Sequence, residues 1–187
     1  MILRHNPWQT VQQKDVYENP WIRIEHHDVI TPMGKPGIYG KVCFKNKAVG
    51  IIPVDEQGYT WLVGQYRYTV DRWMWEIPMG GAPPGEEPLQ AAHRELREET
   101  GIHAGTMQAI LYLHTSKSVT DEEGHVFLAT GLSAGETDFE DTEEIEIIKL
   151  PLREAIAMAQ DGRITDIISI AGLLHLALNA GRYALVL

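Results

Sequence analysis

Short stretches of alternating apolar and polar residues recur along the chain, each closed by residues that favour turns. Residues 21–30 (Trp-Ile-Arg-Ile-Glu-His-His-Asp-Val-Ile) partly alternate, as a half-buried strand does. Thr31 to Gly37 follows with two Pro and two Gly, and residues 38–45 read as the return strand. Residues 47–54 and 60–66 flank Asp55-Glu56-Gln57-Gly58 and read as a second strand pair. Further short strands are predicted at 74–77, 107–113, 125–130 and 144–150. Helical periodicity is rarer. It predicts one helix over about 87–100, with Pro88 in its first turn and Gly101 as its stop. A second is predicted over 152–161 before Gly162, and a third over 166–180 with Thr165 as N-cap and Gly181 after its end. Strands dominate and helices come late, which argues for an α+β mixed sheet flanked by helices and against a doubly wound parallel sheet. The first 45 or so residues are expected to form a small antiparallel sheet of their own.

Composition changes this picture little. With 187 residues, 44% hydrophobic and 22% charged, the chain has the profile of one globular domain, or one domain plus a small appendage. Its net charge of −10 makes it a poor partner for nucleic acid or an anionic membrane surface. Any phosphate ligand would need metal ions or a few local cations to offset the repulsion. Cys43 is the single cysteine, in an apolar run, so an intrachain disulfide and a thiolate zinc site are excluded. With no secretory pattern at the N-terminus and no run long enough to span a bilayer, a cytoplasmic setting is expected.

The first helix carries the chemistry. At about 100° per residue, Leu89, Ala92, His93 and Leu96 fall on one arc, which is the expected core face. Glu95, Glu98 and Glu99 share another arc, as i,i+3 and i,i+4 neighbours. Like charges this close repel, and clustered oxygen donors suit a hard divalent cation. The alternative is a solvated acidic face. Two features favour the cation: the glycine-rich entry Gly80-Gly81-Ala82-Pro83-Pro84-Gly85, and Arg94 beside the cluster.

Gly80, Glu86, Arg94, Glu95, Leu96, Glu98, Glu99, Gly101 and Ile102 match every fixed position of a pattern by which the chain resembles the Nudix hydrolases. The pattern is Gly-x5-Glu-x7-Arg-Glu-U-x-Glu-Glu-x-Gly-U, with U a bulky aliphatic residue. The resemblance implies an α/β/α sandwich on a mixed sheet and Mg²⁺-dependent hydrolysis of a nucleoside diphosphate linked to another group, with Mn²⁺ as the alternative metal. It implies Glu95 and Glu99 as principal metal ligands and Glu98 as a further ligand or the base. It also implies that Arg94 orients the cluster, that Glu86 supports it electrostatically, and that Gly80 permits a tight loop bringing the Met79 carbonyl near the metal.

Gly64-Gln65-Tyr66-Arg67 and Trp75-Glu76-Ile77-Pro78-Met79-Gly80 resemble signatures of the ADP-ribose pyrophosphatases and related nucleotide-sugar hydrolases. That resemblance implies Arg67 and Glu76 along the substrate cleft and a downstream acidic group as ligand or base. Glu143 matches best, with Glu140, Asp141 and Glu144 as rivals. It also implies a homodimer through the N-terminal segment (residues 1–45, with the hydrolase domain over 46–187). Trp21 there is a candidate for the nucleobase, alongside Trp8, Tyr17 and Tyr39. Two departures stand out. Met79 replaces the usual alanine, and Lys117 lies where those enzymes usually carry proline. The two signatures make ADP-ribose the leading substrate, and the absent proline raises GDP-mannose or another nucleoside diphosphate sugar as the alternative. A non-catalytic nucleotide sensor is the distant alternative, disfavoured because all four glutamates are kept.

Overall fold

The computed structural model describes residues 5–135 and 145–185. They fall into two compact units. One contains the chain up to Asn46 together with His114–Glu122, and the other contains Lys47–Leu113 and the chain from Glu123 onward.

The first unit is a three-stranded antiparallel sheet in the order β1 (Gln9–Glu18), β2 (Ile22–Ile30), β3 (Pro36–Phe44). β2 and β3 pair without a slip from Ile22↔Phe44 to Ile30↔Pro36. The predicted hairpin is therefore present, and β1 is an addition to it. β1 is exposed along its whole length, so no burial pattern marks it in the sequence. Glu25 on β2 is buried and held by Arg23 Nη2 at 2.6 Å and His27 Nε2 at 2.9 Å. The 114–122 segment bonds to β3 through Val42 N–H to Val119 O (2.8 Å) and Lys41 Nζ to Asp121 Oδ2 (2.7 Å). Cys43 is free and buried.

In the second unit one sheet runs β7 (Met79–Ala82), β4 (Lys47–Pro53), β9 (Glu123–Ala134), β8 (Ile102–His114). Another runs β10 (Glu146–Pro151), β5 (Tyr59–Arg67), β6 (Arg72–Glu76). β4 pairs parallel with β9 and antiparallel with β7, so the four-stranded sheet is mixed, as expected. The expected β4–β5 hairpin is not formed. Val49, Ile51 and Ile52 are all buried, so β4 lies inside a sheet with neighbours on both edges, and β5 joins β6 and β10 instead. A single bridge, Val54↔Thr60, links the two strands. The Asp55 carboxylate shapes the turn between them by accepting the N–H groups of Gln57 and Tyr59.

Alternation along the strands sorts two cores. Val49, Ile51, Phe127 and Ala129 pack with Ala91, Ala92 and Leu96 of α1 (Pro88–Thr100). Ile52, Val126 and Leu128 pack with Leu152 and Ile156 of α2 (Leu152–Asp161) and with Ile168, Leu173 and Leu176 of α3 (Ile167–Asn179). The result is the α+β sandwich with a mixed sheet between helices. Truncating a fully buried side chain such as Leu96 to alanine costs about 2–5 kcal/mol.

α1 starts with Pro88 in its first turn and stops at Gly101, whose φ of 68° is left-handed. α2 stops at Gly162 as predicted. The cap of α3 is Asp166, not Thr165: Asp166 Oδ2 accepts the Ser169 N–H at 2.7 Å, while Thr165 Oγ1 accepts from Arg72. α3 runs past Asn179 into a 3-10 turn over Ala180–Tyr183, so Gly181 is not its stop. Among the described residues no helix is long and apolar enough to cross a membrane.

Candidate active site

α1 is rotated from its expected orientation. Its buried residues are Ala91, Ala92, Leu96 and Glu99, while Leu89 and His93 are exposed. On a helical wheel that buried arc spans about 140°, with the positions of Glu95 and Glu99 inside it. The carboxylates therefore point toward the protein and not away from it. The reason lies in β7. Gly80 and Gly81 present bare backbone, and carboxylates bond it where apolar side chains would leave its N–H groups unpaired.

Two bonds fix this arrangement. Glu99 Oε2 accepts the Met79 N–H at 2.9 Å, and Glu95 Oε1 accepts the Gly81 N–H at 3.1 Å. A Cβ built on Gly80 would land inside the Glu95 carboxyl group, so the glycine is required for close approach.

Arg94 links the cluster. Its guanidinium forks onto Glu86, with Nε to Oε1 at 3.2 Å and Nη2 to Oε2 at 2.9 Å. Nη1 reaches Glu95 Oε1 at 2.7 Å and Glu98 Oε2 at 3.1 Å, and Nη2 also donates to the Gly81 carbonyl at 2.9 Å. Glu98 takes a further bond from Arg97 Nη2 at 2.9 Å. These contacts set the protonation tendencies. The Arg94 hydrogen bond holds the Glu86 carboxyl below the usual range. Burial pushes the Glu95 carboxyl up, against the pull of Arg94. Bonds to Glu86 raise the Arg94 guanidinium further, so it is permanently charged.

Among the described residues no three acidic, imidazole or thiol groups converge on one point as a ready cation cage. Arg94 stands between the carboxylates instead. The donor set still fits a hard divalent ion. Glu86, Glu95, Glu98 and Glu99 are all oxygen donors, and four carboxylates exceed the two guanidiniums of Arg94 and Arg97.

A second group of polar residues lies three residues upstream of Met79. Glu76 is buried, with Gln65 Nε2 at 2.9 Å from its Oε1 and Arg67 Nη2 on the same oxygen. Burial raises the Glu76 carboxyl above the ordinary range, opposed by the charge of Arg67. Ser169 of α3 fixes the adjoining backbone by accepting the Ile77 N–H at 3.0 Å. Ser169 is not marked in the sequence as part of a site, and Gly81 is marked only by the glycine-rich entry to α1. Gln65 lies in the Gln-Tyr-Arg stretch, which is the one signal that points to it.

In the N-terminal unit Trp21 is exposed, with its N–H bonded to Asn19 Oδ1. Trp8 and Tyr39 meet edge to face at 5.5 Å and help line a cavity of about 290 Å³ with His27, Lys41 and Lys117. Glu143, Glu140, Asp141 and Glu144 lie outside the described residues.

Comparison with known proteins adds independent findings. A model of the NUDIX domain matches residues 44–167, and one of the nucleoside diphosphate sugar hydrolase N-terminal domain matches residues 8–42. The chain is 39% identical over 176 residues to an ADP-ribose pyrophosphatase of Mycobacterium tuberculosis, covering 92% of this chain and 84% of the relative. It is 31% identical over 160 residues to an ADP-ribose pyrophosphatase of Bacillus subtilis, covering 84% and 86%. A solved structure of an ADP compounds hydrolase superposes with a TM-score of 0.84, covering 97% of this chain and 98% of the other. Its 18% identity makes that likeness one of fold.

Proposed function

The chain belongs to the NUDIX family, and we propose that it hydrolyses the pyrophosphate bond of a nucleoside diphosphate sugar, with ADP-ribose as the leading substrate. The products are a nucleoside monophosphate and a sugar phosphate. The observation that carries this reading is the docking of Glu95 and Glu99 on the β7 backbone, with Arg94 gathering Glu86, Glu95 and Glu98.

Glu95, Glu98, Glu99 and the Met79 carbonyl would hold the divalent cation, Mg²⁺ with Mn²⁺ as the alternative. Bound there, it would screen the pyrophosphate charge and acidify a water. The chain's own residues do the rest. Arg94 aims the Glu95 and Glu98 carboxylates and holds the Glu86 carboxyl below the usual range, and Glu86 anchors Arg94. Glu98 sits at the edge of the cluster, only partly buried, and is the candidate base for the attacking water. Glu143 is the alternative base by sequence resemblance. Arg67, with about a third of its side chain exposed, is the candidate contact to phosphate.

Residues 1–45 are proposed as the dimerising segment and 46–187 as the hydrolase domain. The dimer reading is supported by the exposed β1, which presents Val11, Val16 and Tyr17. Trp21 is retained as the nucleobase candidate on resemblance. The test is a panel of ADP-ribose, GDP-mannose, ADP-glucose, UDP-glucose, NADH and Ap4A with Mg²⁺, read by chromatography of the products. AMP and ribose 5-phosphate from ADP-ribose are expected. Turnover confined to NADH or Ap4A would overturn the substrate class, and preference for GDP-mannose would replace ADP-ribose with the alternative.

A further inference from the structure

Glu76 is 2% exposed, yet it is a carboxylate. Taking such a group out of water costs several kcal/mol unless its partners repay it, and an apolar residue of similar size is often the more stable occupant. Gln65, Arg67 and Glu76 lie on one face of the β5–β6 ladder, where Val63 pairs with Glu76 and Arg67 with Arg72. Glu76 Oε1 accepts both Gln65 Nε2 and Arg67 Nη2. Among the described residues Glu76 is the one partner of the Arg67 guanidinium. A guanidinium has five donors, so most of this fork remains for another anion.

The surrounding backbone says where that anion sits. From Glu76 the chain continues through Ile77, whose N–H is held by Ser169, and Pro78, whose carbonyl accepts the Ile51 N–H at 2.8 Å. It reaches Met79, whose N–H is held by Glu99. Three residues span at most about 10–11 Å, so Arg67 is tethered beside the carboxylate cluster. An acidic cluster and a cation with unused donors at this separation suit a pyrophosphate placed between them. Glu76 itself is too buried to touch it.

We propose that Glu76 is a positioning residue: it makes no contact with substrate and fixes the Arg67 guanidinium where it meets the pyrophosphate. This rests on the pyrophosphohydrolase reading of the site. Gln65 serves the same end by sharing the carboxylate oxygen, which restricts the direction from which Arg67 approaches.

The test is a double-mutant cycle of Glu76→Gln and Arg67→Ala, read as kcat and KM for ADP-ribose with Mg²⁺ and as binding of ADP-ribose without metal. Glutamine keeps the size and the bond to Gln65, so the fold is expected to persist, checked by thermal melting. Glu76→Gln alone should raise KM about tenfold with kcat within about threefold, the pattern of lost substrate binding. In the Arg67→Ala background it should change kcat/KM less than about twofold, because the residue it acts through is gone. Equal losses in both backgrounds, or an unchanged KM in Glu76→Gln, would overturn the role. An active wild-type enzyme with additive effects defeats only this inference. A wild-type protein that neither binds nor cleaves any nucleoside diphosphate sugar defeats the function and this role together.

Discussion

Arg94 is the charge on which the carboxylate cluster depends, and Arg94→Ala isolates its contribution. Alanine is the best helix former, so the substitution carries no propensity penalty. The side chain keeps 32% of its surface, and its partners Glu86, Glu95 and Glu98 keep 22%, 14% and 25%. Breaking a fully buried pair costs about 3–5 kcal/mol. A surface pair is worth about 0–1 kcal/mol. This site lies between, and the bidentate bond to Glu86 and the bond to the Gly81 carbonyl place it near 2–3 kcal/mol, about two-thirds of the buried value. For a chain of this size each kcal/mol moves Tm by about 2–4 °C, so a fall of about 5–10 °C is expected. Metal-free protein at pH 7, melted with and without 1 M NaCl, is the assay. Arg94→Lys should recover about half the loss, since it keeps the charge but not the fork. Arg94→Ala with Glu95→Gln should be less damaging than the sum of the single changes by about 1–3 kcal/mol. A Tm within 1–2 °C of wild type for Arg94→Ala, or strict additivity with Glu95→Gln, would refute the electrostatic account of the cluster.

Gly80→Ala sends a methyl into the Glu95 carboxyl group and should cost about 1–3 kcal/mol with a large loss of turnover; a neutral melting curve and full activity would show that β7 gives way. Millimolar Mg²⁺ should raise Tm of the wild type, by about 2.7 kcal/mol of stability at a hundred times its Kd, and should leave the Glu95→Gln/Glu99→Gln double variant unmoved. Equal shifts in both proteins would place the cation elsewhere. Glu76 gives a pH signature. Its folded carboxyl titrates above the ordinary value near 4.5, so its contribution to stability is full below that value and fades as pH rises through the folded one. Urea unfolding between pH 4 and 8 should show this decline in the wild type and a flatter curve in Glu76→Gln. Parallel curves would contradict the burial argument.

The ends of α1 and the stop of α2 were legible because their causes are local, Pro88 at the start of α1 and Gly101 and Gly162 as left-handed stops, whereas both ends of α3 were misplaced. The carboxylate spacing was legible for the same reason. The orientation of α1 was not. Hydrophobicity assigns Leu89 and His93 to the core, whereas Glu99 is buried because the Met79 N–H, twenty residues away, satisfies it. β7 was equally hidden. Met-Gly-Gly-Ala has little strand propensity and forms by pairing with Lys47–Gly50. Tertiary pairing also separated β4 from β5, against the local hairpin signal. The Gln65–Glu76 and Ile77–Ser169 bonds span 11 and 92 residues, beyond any local pattern.

Glu99→Gln tests the central claim most directly, because it keeps the size of the side chain and an oxygen for the Met79 N–H while removing the charge. With ADP-ribose and Mg²⁺, kcat should fall at least about a hundredfold while Tm stays within a few degrees of wild type. Turnover near the wild-type rate in this folded variant would contradict the claim that the α1 carboxylates carry the hydrolysis.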